Sequence, residues 1–123
     1  MKPVIAVVDD DEAVRHALAS LLRSLGYAAL VFAGAQELLD SPRRGDVSCL
    51  ISDVQMPGMT GLELYERLLA SEEPIPTILI TAYPNEQALS RALNDGVVCY
   101  LTKPFADEEL LACIRAILDR PVG

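Results

Sequence analysis

Val4-Ile5-Ala6-Val7-Val8 is an unbroken apolar and largely β-branched run, the pattern of a central strand covered on both faces. From Glu12 to Leu25 the spacing changes. Val14, Ala17, Leu18, Leu21, Leu22 and Leu25 recur at helical intervals, and Gly26 follows as a C-terminal stop. The alternation then repeats along the chain. Ala28 to Phe32 predicts a second strand, and Gly34 opens a short helix over Ala35 to Asp40 that Ser41-Pro42 closes. Val47 to Ser52 predicts a third strand and Leu62 to Ser71 a helix. Pro74 and Pro76 punctuate the chain before a strand at Thr77 to Thr81. Asn85 to Asp95 predicts a helix stopped by Gly96, and Val97 to Leu101 a fifth strand. Asp107 is placed to cap a last helix through about Asp119, with Leu110, Leu111, Ile114, Ile117 and Leu118 inward.

Strands that alternate with helices over short connections imply right-handed crossovers and a parallel sheet with helices on both faces, an α/β fold. The 123 residues suit one domain, expected over 1–119, with 120–123 as the start of a linker or the chain end. Hydrophobic residues make up 51% and charged residues 23%, which excludes a disordered tail. Ten Lys and Arg against 18 Asp and Glu give a net charge of −8, which argues against direct binding of nucleic acid. No apolar run approaches the roughly 18 residues of a membrane span. The apolar start lacks the length and cleavage site of a secretory signal, so a cytoplasmic location is expected. Cys49, Cys99 and Cys113 are odd in number and lack CxxC spacing. They read as small buried hydrophobes in a reducing compartment, in preference to metal or redox groups.

In parallel α/β sheets, ligands bind beyond the carboxyl ends of the strands. Those ends hold the polar chemistry here. Strand one runs into Asp9-Asp10-Asp11, strand three into Ser52-Asp53, strand four into Thr81-Ala82, and strand five into Thr102-Lys103-Pro104. Asp9, Asp10 and Asp53 on neighbouring strands repel each other unless something neutralises them. Hard oxygen ligands in that number suit Mg²⁺, which leaves coordination positions for phosphate oxygens. Lys103 adds a point charge and Thr81 a hydroxyl donor, while Ala82 leaves room beside them. A carboxylate in that company can attack phosphorus in line, so Asp53 is the candidate acceptor of a phosphoryl group. Taken singly, each of these is as well read as a turn, cap or surface residue, and Asp11 is read as a helix cap. The set carries the inference. His16 is expected on a solvent-facing side of its helix, and Gly58 and Gly61 as turn residues.

The stretches Val7-Val8-Asp9-Asp10-Asp11, Asp53-Val54-Gln55-Met56-Pro57-Gly58-Met59-Thr60-Gly61, Ile80-Thr81-Ala82 and Leu101-Thr102-Lys103-Pro104-Phe105 resemble the motifs of bacterial response-regulator receiver domains. The resemblance runs from Val4 to about Leu118. Val8 to Arg15 and Lys103-Pro104-Phe105 look most like receivers of the FixJ type. It implies a (βα)5, flavodoxin-like receiver fold with strand order 2-1-3-4-5. It implies that Asp53 accepts a phosphoryl group from a sensor histidine kinase. Mg²⁺ (or Mn²⁺) would be held by Asp10, Asp53 and the Gln55 main-chain carbonyl, with Asp9 acting through water. Thr81 and Lys103 would bind the phosphoryl oxygens, and Tyr100 would turn inward as Thr81 moves. Ala82 would govern access to the phosphoryl group, and the Lys103-Pro104 bond would be cis. The face of helix four, strand five and helix five would then signal to an output, expected to be transcription through a DNA-binding domain outside this chain. A phosphorylation-dependent homodimer on that face is a further implication.

Three features depart from the family pattern. Gln55 is long and polar at a position that tunes dephosphorylation in this family, Tyr83-Pro84 is bulky and stiff, and Gly34 stands where a Ser cap is usual. Two other readings compete. A Mg²⁺-dependent aspartyl-nucleophile phosphohydrolase needs an acid where Gln55 stands, and a pseudo-receiver or stand-alone regulator would use the same fold differently. No enzyme with turnover on an external substrate is expected. Helix four, with Ala88, Leu89, Ala92 and Leu93, is expected to be the loosely held element.

Overall fold

The computed structural model describes residues 2–119. Strands β1 (Val4–Val8), β2 (Ala28–Phe32), β3 (Cys49–Asp53), β4 (Thr77–Thr81) and β5 (Cys99–Thr102) alternate with helices α1 (Glu12–Ser24), α2 (Ala35–Leu39), α3 (Gly61–Ala70), α4 (Glu86–Asp95) and α5 (Asp107–Leu118). They form one sheet in the order β2-β1-β3-β4-β5, with every neighbouring pair parallel. The expected strand order is the observed one.

Side-chain alternation divides the interior in two. Ile5, Val7, Cys49, Ile51, Ile78 and Ile80 face one way and pack with Leu18 and Leu22 of α1 and Leu110, Ile114 and Ile117 of α5. Ala6, Val8 and Leu50 face the other way, against Leu38 of α2 and Leu64 and Leu68 of α3. Leu79 continues that second face toward Tyr65 of α3 and Ala92 of α4. A sheet covered on both faces needs apolar residues at consecutive positions, which is why β1, β3 and β4 read as continuous runs.

Several helix starts are set by side chains. Asp11 caps α1, accepting from the Ala13 amide at 2.9 Å, as expected. Thr60 and Glu63 cap α3 reciprocally, each side chain accepting from the other's amide at 3.1 Å. Gly34 has no side chain to offer α2, and Glu37 reaches back instead to the Ala33 amide.

Four expectations need correction. The third strand begins at Cys49, not Val47, because a 3-10 turn at Arg44–Asp46 uses the Val47 amide. The fifth begins at Cys99, not Val97, because the Val97 amide bonds to the Ala92 carbonyl and finishes α4. Asp107 is the first residue of α5 and not its cap; the cap position is Ala106, whose amide donates to Glu109 at 3.1 Å. The cysteines are not three free thiols: Cys99 and Cys113 form a disulfide, and Cys49 is buried and free. The expected linker or chain end at 120–123 lies outside the described residues.

Candidate functional site

The parallel register brings the strand ends level. Val8 pairs with Ser52, Asp53 with Ile80 and Thr81 with Thr102. Asp9, Asp53, Thr81 and Lys103 therefore emerge side by side where strand order reverses about β1 and β3. Asp9 and Asp53 are almost fully buried, at 0% and 7% exposure, while Asp10 is exposed. Carboxylate oxygens of all three lie within 4.8 Å of one another.

Lys103 Nζ lies 3.2 Å from Asp9 Oδ2 and 3.6 Å from Asp53 Oδ2. One cation thus serves two buried carboxylates, and the Lys103 amide donates to the Thr81 carbonyl at 2.7 Å, tying β5 to β4 at this point. The Lys103–Pro104 bond is cis. Asp9 Oδ1 accepts from the Asp11 amide at 2.9 Å, and Arg15 of α1 donates to the Asp9 carbonyl at 2.7 Å. Burial, then the charge of Asp9, pushes the Asp53 carboxyl above the usual carboxylate range. Lys103 and the Gln55 amide pull it down, and Asp10 adds to the rise. A cluster that holds more negative charge than one lysine offsets fits a divalent cation. Its all-oxygen donor set suits a hard one.

Thr81 is fully buried, and its hydroxyl is engaged twice. It donates to Gln55 Oε1 at 2.5 Å and accepts from the Tyr83 amide at 3.0 Å. Gln55 is thereby drawn to Thr81 by its side chain, while its amide lies 3.4 Å from Asp53 Oδ1. Ala82 is exposed beside them. Tyr100 is half-buried on β5, packed with the Leu79, Ala92 and Val97 cluster. Its hydroxyl is buried with no hydrogen-bond partner. Burial raises this phenol above its usual value, and the nearby Thr81 hydroxyl offsets part of that rise from outside hydrogen-bonding geometry.

Three residues have roles here that the sequence does not signal. Gln55 is legible as a departure, but not as the partner of Thr81. Arg15 reads as one more charge on α1. Gly61 reads as a turn residue, and this is a further correction: it is the first residue of α3, and a Cβ there would collide with the Asp53 carbonyl. Only glycine lets α3 start so close to β3. Gly58, with φ +79°, is the turn residue expected. His16 is exposed on α1, also as expected.

The family model of the response regulator receiver domain matches residues 5–115. The chain belongs to that family. It is 43% identical over 115 residues to the response regulator protein TodT of Pseudomonas putida strain F1, covering 94% of this chain and 51% of TodT. It is 38% identical over 114 residues to the transcriptional regulatory protein FixJ of Bradyrhizobium diazoefficiens, covering 93% of this chain and 56% of FixJ. Among solved structures, it is similar to the response regulator StyR, with TM-score 0.87 and 41% identity over 97% of this chain and 60% of that one. It is also similar to FixJ-N, with TM-score 0.85 and 31% identity over 100% of this chain and 98% of that one. The chain spans about half the length of the curated relatives it matches. Receiver domains are signalling modules of two-component systems and generally bind Mg²⁺ at an acidic pocket, and Asp9, Asp10 and Asp53 form an acidic cluster here. The FixJ-type resemblance agrees with these relatives.

Proposed function

We propose that this receiver is a phosphorylation switch in which Asp53 takes a phosphoryl group from a sensor histidine kinase. The observation that carries the reading is the meeting of Asp53 with Asp9, Lys103 and Asp10 at one strand edge, beside the Thr81 hydroxyl. An Asp53 carboxylate oxygen attacks phosphorus in line as the bond to the kinase imidazole breaks, leaving an acyl phosphate. Lys103 is placed to take one phosphoryl oxygen. Thr81 takes another once it leaves Gln55. Ala82 leaves the approach open.

Asp10, Asp53 and the Gln55 main-chain carbonyl would hold Mg²⁺ (or Mn²⁺), with Asp9 acting through water. When bound, the ion neutralises charge that builds on the phosphoryl oxygens. The chain's own part is to keep Asp53 desolvated, to supply the ammonium and hydroxyl, and to convert Thr81 movement into a change near Tyr100. A hollow of about 360 Å³ lined by Pro84, Leu89, Tyr100 and Thr102 gives that change somewhere to go. The face of α4, β5 and α5 then reports it.

Similarity to transcriptional regulators supports transcription as the output. Homodimerisation through that face after phosphorylation is part of the same proposal. A net charge of −8 supports a receiver that does not itself bind DNA. Among the described residues no helix is long and apolar enough to cross a membrane, which supports work in the cytoplasm. A phosphohydrolase would need an acid where Gln55 stands, and Gln55 Oε1 is held by Thr81.

The decisive experiment is intact mass after incubation with acetyl phosphate. One added phosphoryl group that requires both Mg²⁺ and Asp53, and is absent in Asp53→Ala, is expected. With beryllofluoride, a phosphoryl mimic, the NMR signals of Thr81 and Tyr100 should shift together. No adduct and no shift would leave a pseudo-receiver.

A further inference from the structure

We propose that Cys99 and Cys113 are a reversible thiol–disulfide pair that pins β5 to α5 and makes the switch respond to oxidant. The coupling to the switch rests on the reading above; the pair itself does not.

Cys99 is the first residue of the edge strand β5, and Cys113 lies in the middle of α5, the helix packed over it. Their Cα atoms are 6.1 Å apart, inside the range of about 4.4–6.8 Å that a disulfide spans without moving the backbone. Both belong to the apolar cluster with Ile78, Ile80 and Ile114. Cys113 is 7% exposed and Cys99 is half-buried, so an oxidant reaches Cys99 first. Cys49 stands apart from this chemistry. It is fully buried, and burial pushes its thiol up to about 12, so it neither attacks nor resolves. Cys99 and Cys113 therefore have one exchange partner each.

In a reducing compartment a permanent disulfide is rare, and those that form are mostly transient or redox-sensing. Closure needs a peroxide. The Cys99 thiolate attacks one peroxide oxygen, forming a sulfenic acid and releasing water. The Cys113 thiolate then attacks the Cys99 sulfur and expels the second oxygen as water. Two thiols and one hydrogen peroxide give one disulfide and two waters. A dithiol reductant returns both thiols and is itself oxidised.

The placement gives the bond a consequence. Cys99 faces α5, and the next residue, Tyr100, packs on the opposite side of β5 against the cluster near α4. The same strand leads directly to Lys103. The disulfide fits the arrangement described here, so closing it favours that arrangement over any in which β5 and α5 have shifted. An oxidised chain reaches the shifted arrangement less often, and its affinity for a phosphoryl mimic falls with that fraction.

The test is peroxide treatment of the reduced chain, alkylation under denaturing conditions, and beryllofluoride titration in the presence of Mg²⁺. Of the three cysteines, only Cys49 should be alkylated after oxidation, with the chain still monomeric. Cys49→Ser should close the same bond, and Cys99→Ser or Cys113→Ser should not. Beryllofluoride affinity should fall by about threefold or more on oxidation, reverse with a dithiol, and be indifferent to peroxide in Cys113→Ser. Three alkylated cysteines after peroxide, or links only between chains, overturn the pair. A closed disulfide with unchanged beryllofluoride affinity overturns the coupling. If neither form binds beryllofluoride, the receiver reading fails, and alkylation alone still decides the pair.

Discussion

Thr81 cannot serve Gln55 and a phosphoryl group with the same proton. The 2.5 Å bond to Gln55 Oε1 is therefore a competitor that phosphorylation must displace. Removing it with Gln55→Ala should tighten beryllofluoride binding by about fivefold, the worth of one ordinary hydrogen bond. Titration of Gln55→Ala, Thr81→Ala and the double variant checks this, because the gain should vanish where Thr81 has no hydroxyl. Equal gains in both backgrounds would mean that Gln55 acts some other way. Asp53 makes a prediction with a sign. Its folded-state pKa is raised, chiefly by burial and Asp9, so its contribution to stability is present at low pH and lost as pH rises through that pKa. Asp53→Asn removes the loss. Without metal it should melt a few degrees higher than wild type at neutral pH, on the order of 1 kcal/mol, and the gap should close in acid. Melting curves in EDTA across pH measure it. Asp10→Asn should also stabilise the metal-free chain, through relief of repulsion, while weakening Mg²⁺ binding.

Among the elements, α3 is positioned by an absence of side chain. Gly61→Ala should cost roughly 1–3 kcal/mol, because a Cβ against the Asp53 carbonyl must push α3 or β3 aside. Gly34→Ala meets nothing within 4 Å and should cost less than about 1 kcal/mol, so urea unfolding of the two separates space from general glycine effects. Helix α4 presents a different case. It buries Ala92 alone and leaves Leu93 48% exposed, whereas α1 buries Leu18, Ala19 and Leu22. Its amides should exchange with solvent well before those of α1, by local opening, and exchange mass spectrometry reads this directly. Equal protection would contradict a loosely held α4. These elements were legible wherever apolar periodicity ran uninterrupted, as in β1, β2, β4 and the body of every helix. Boundaries slipped where a turn spent an amide that pattern cannot see, at Val47 and Val97.

At the scale of the whole molecule, the acids, Thr81 and Lys103 were legible because a parallel sheet delivers all its strand ends to one rim. Composition alone could then rank them. Contacts between residues of different segments were not legible: Gln55 with Thr81, Arg15 with the Asp9 carbonyl and Cys99 with Cys113 depend on how crossovers set distances that sequence spacing does not encode. The acidic rim also couples metal to overall stability. Mg²⁺ at about a hundred times its Kd should raise the unfolding free energy by about 2.7 kcal/mol, a gain that EDTA removes in a thermal melt. Lys103 meets Asp9 across 94 positions of chain. A ribosome therefore delivers every carboxylate of the pocket, and the strands that crowd them together, before it delivers the ammonium that balances them. Until that lysine has emerged and β5 has docked, the nascent chain carries an acid cluster at odds with itself, and the pocket is among the last parts of this domain to become whole.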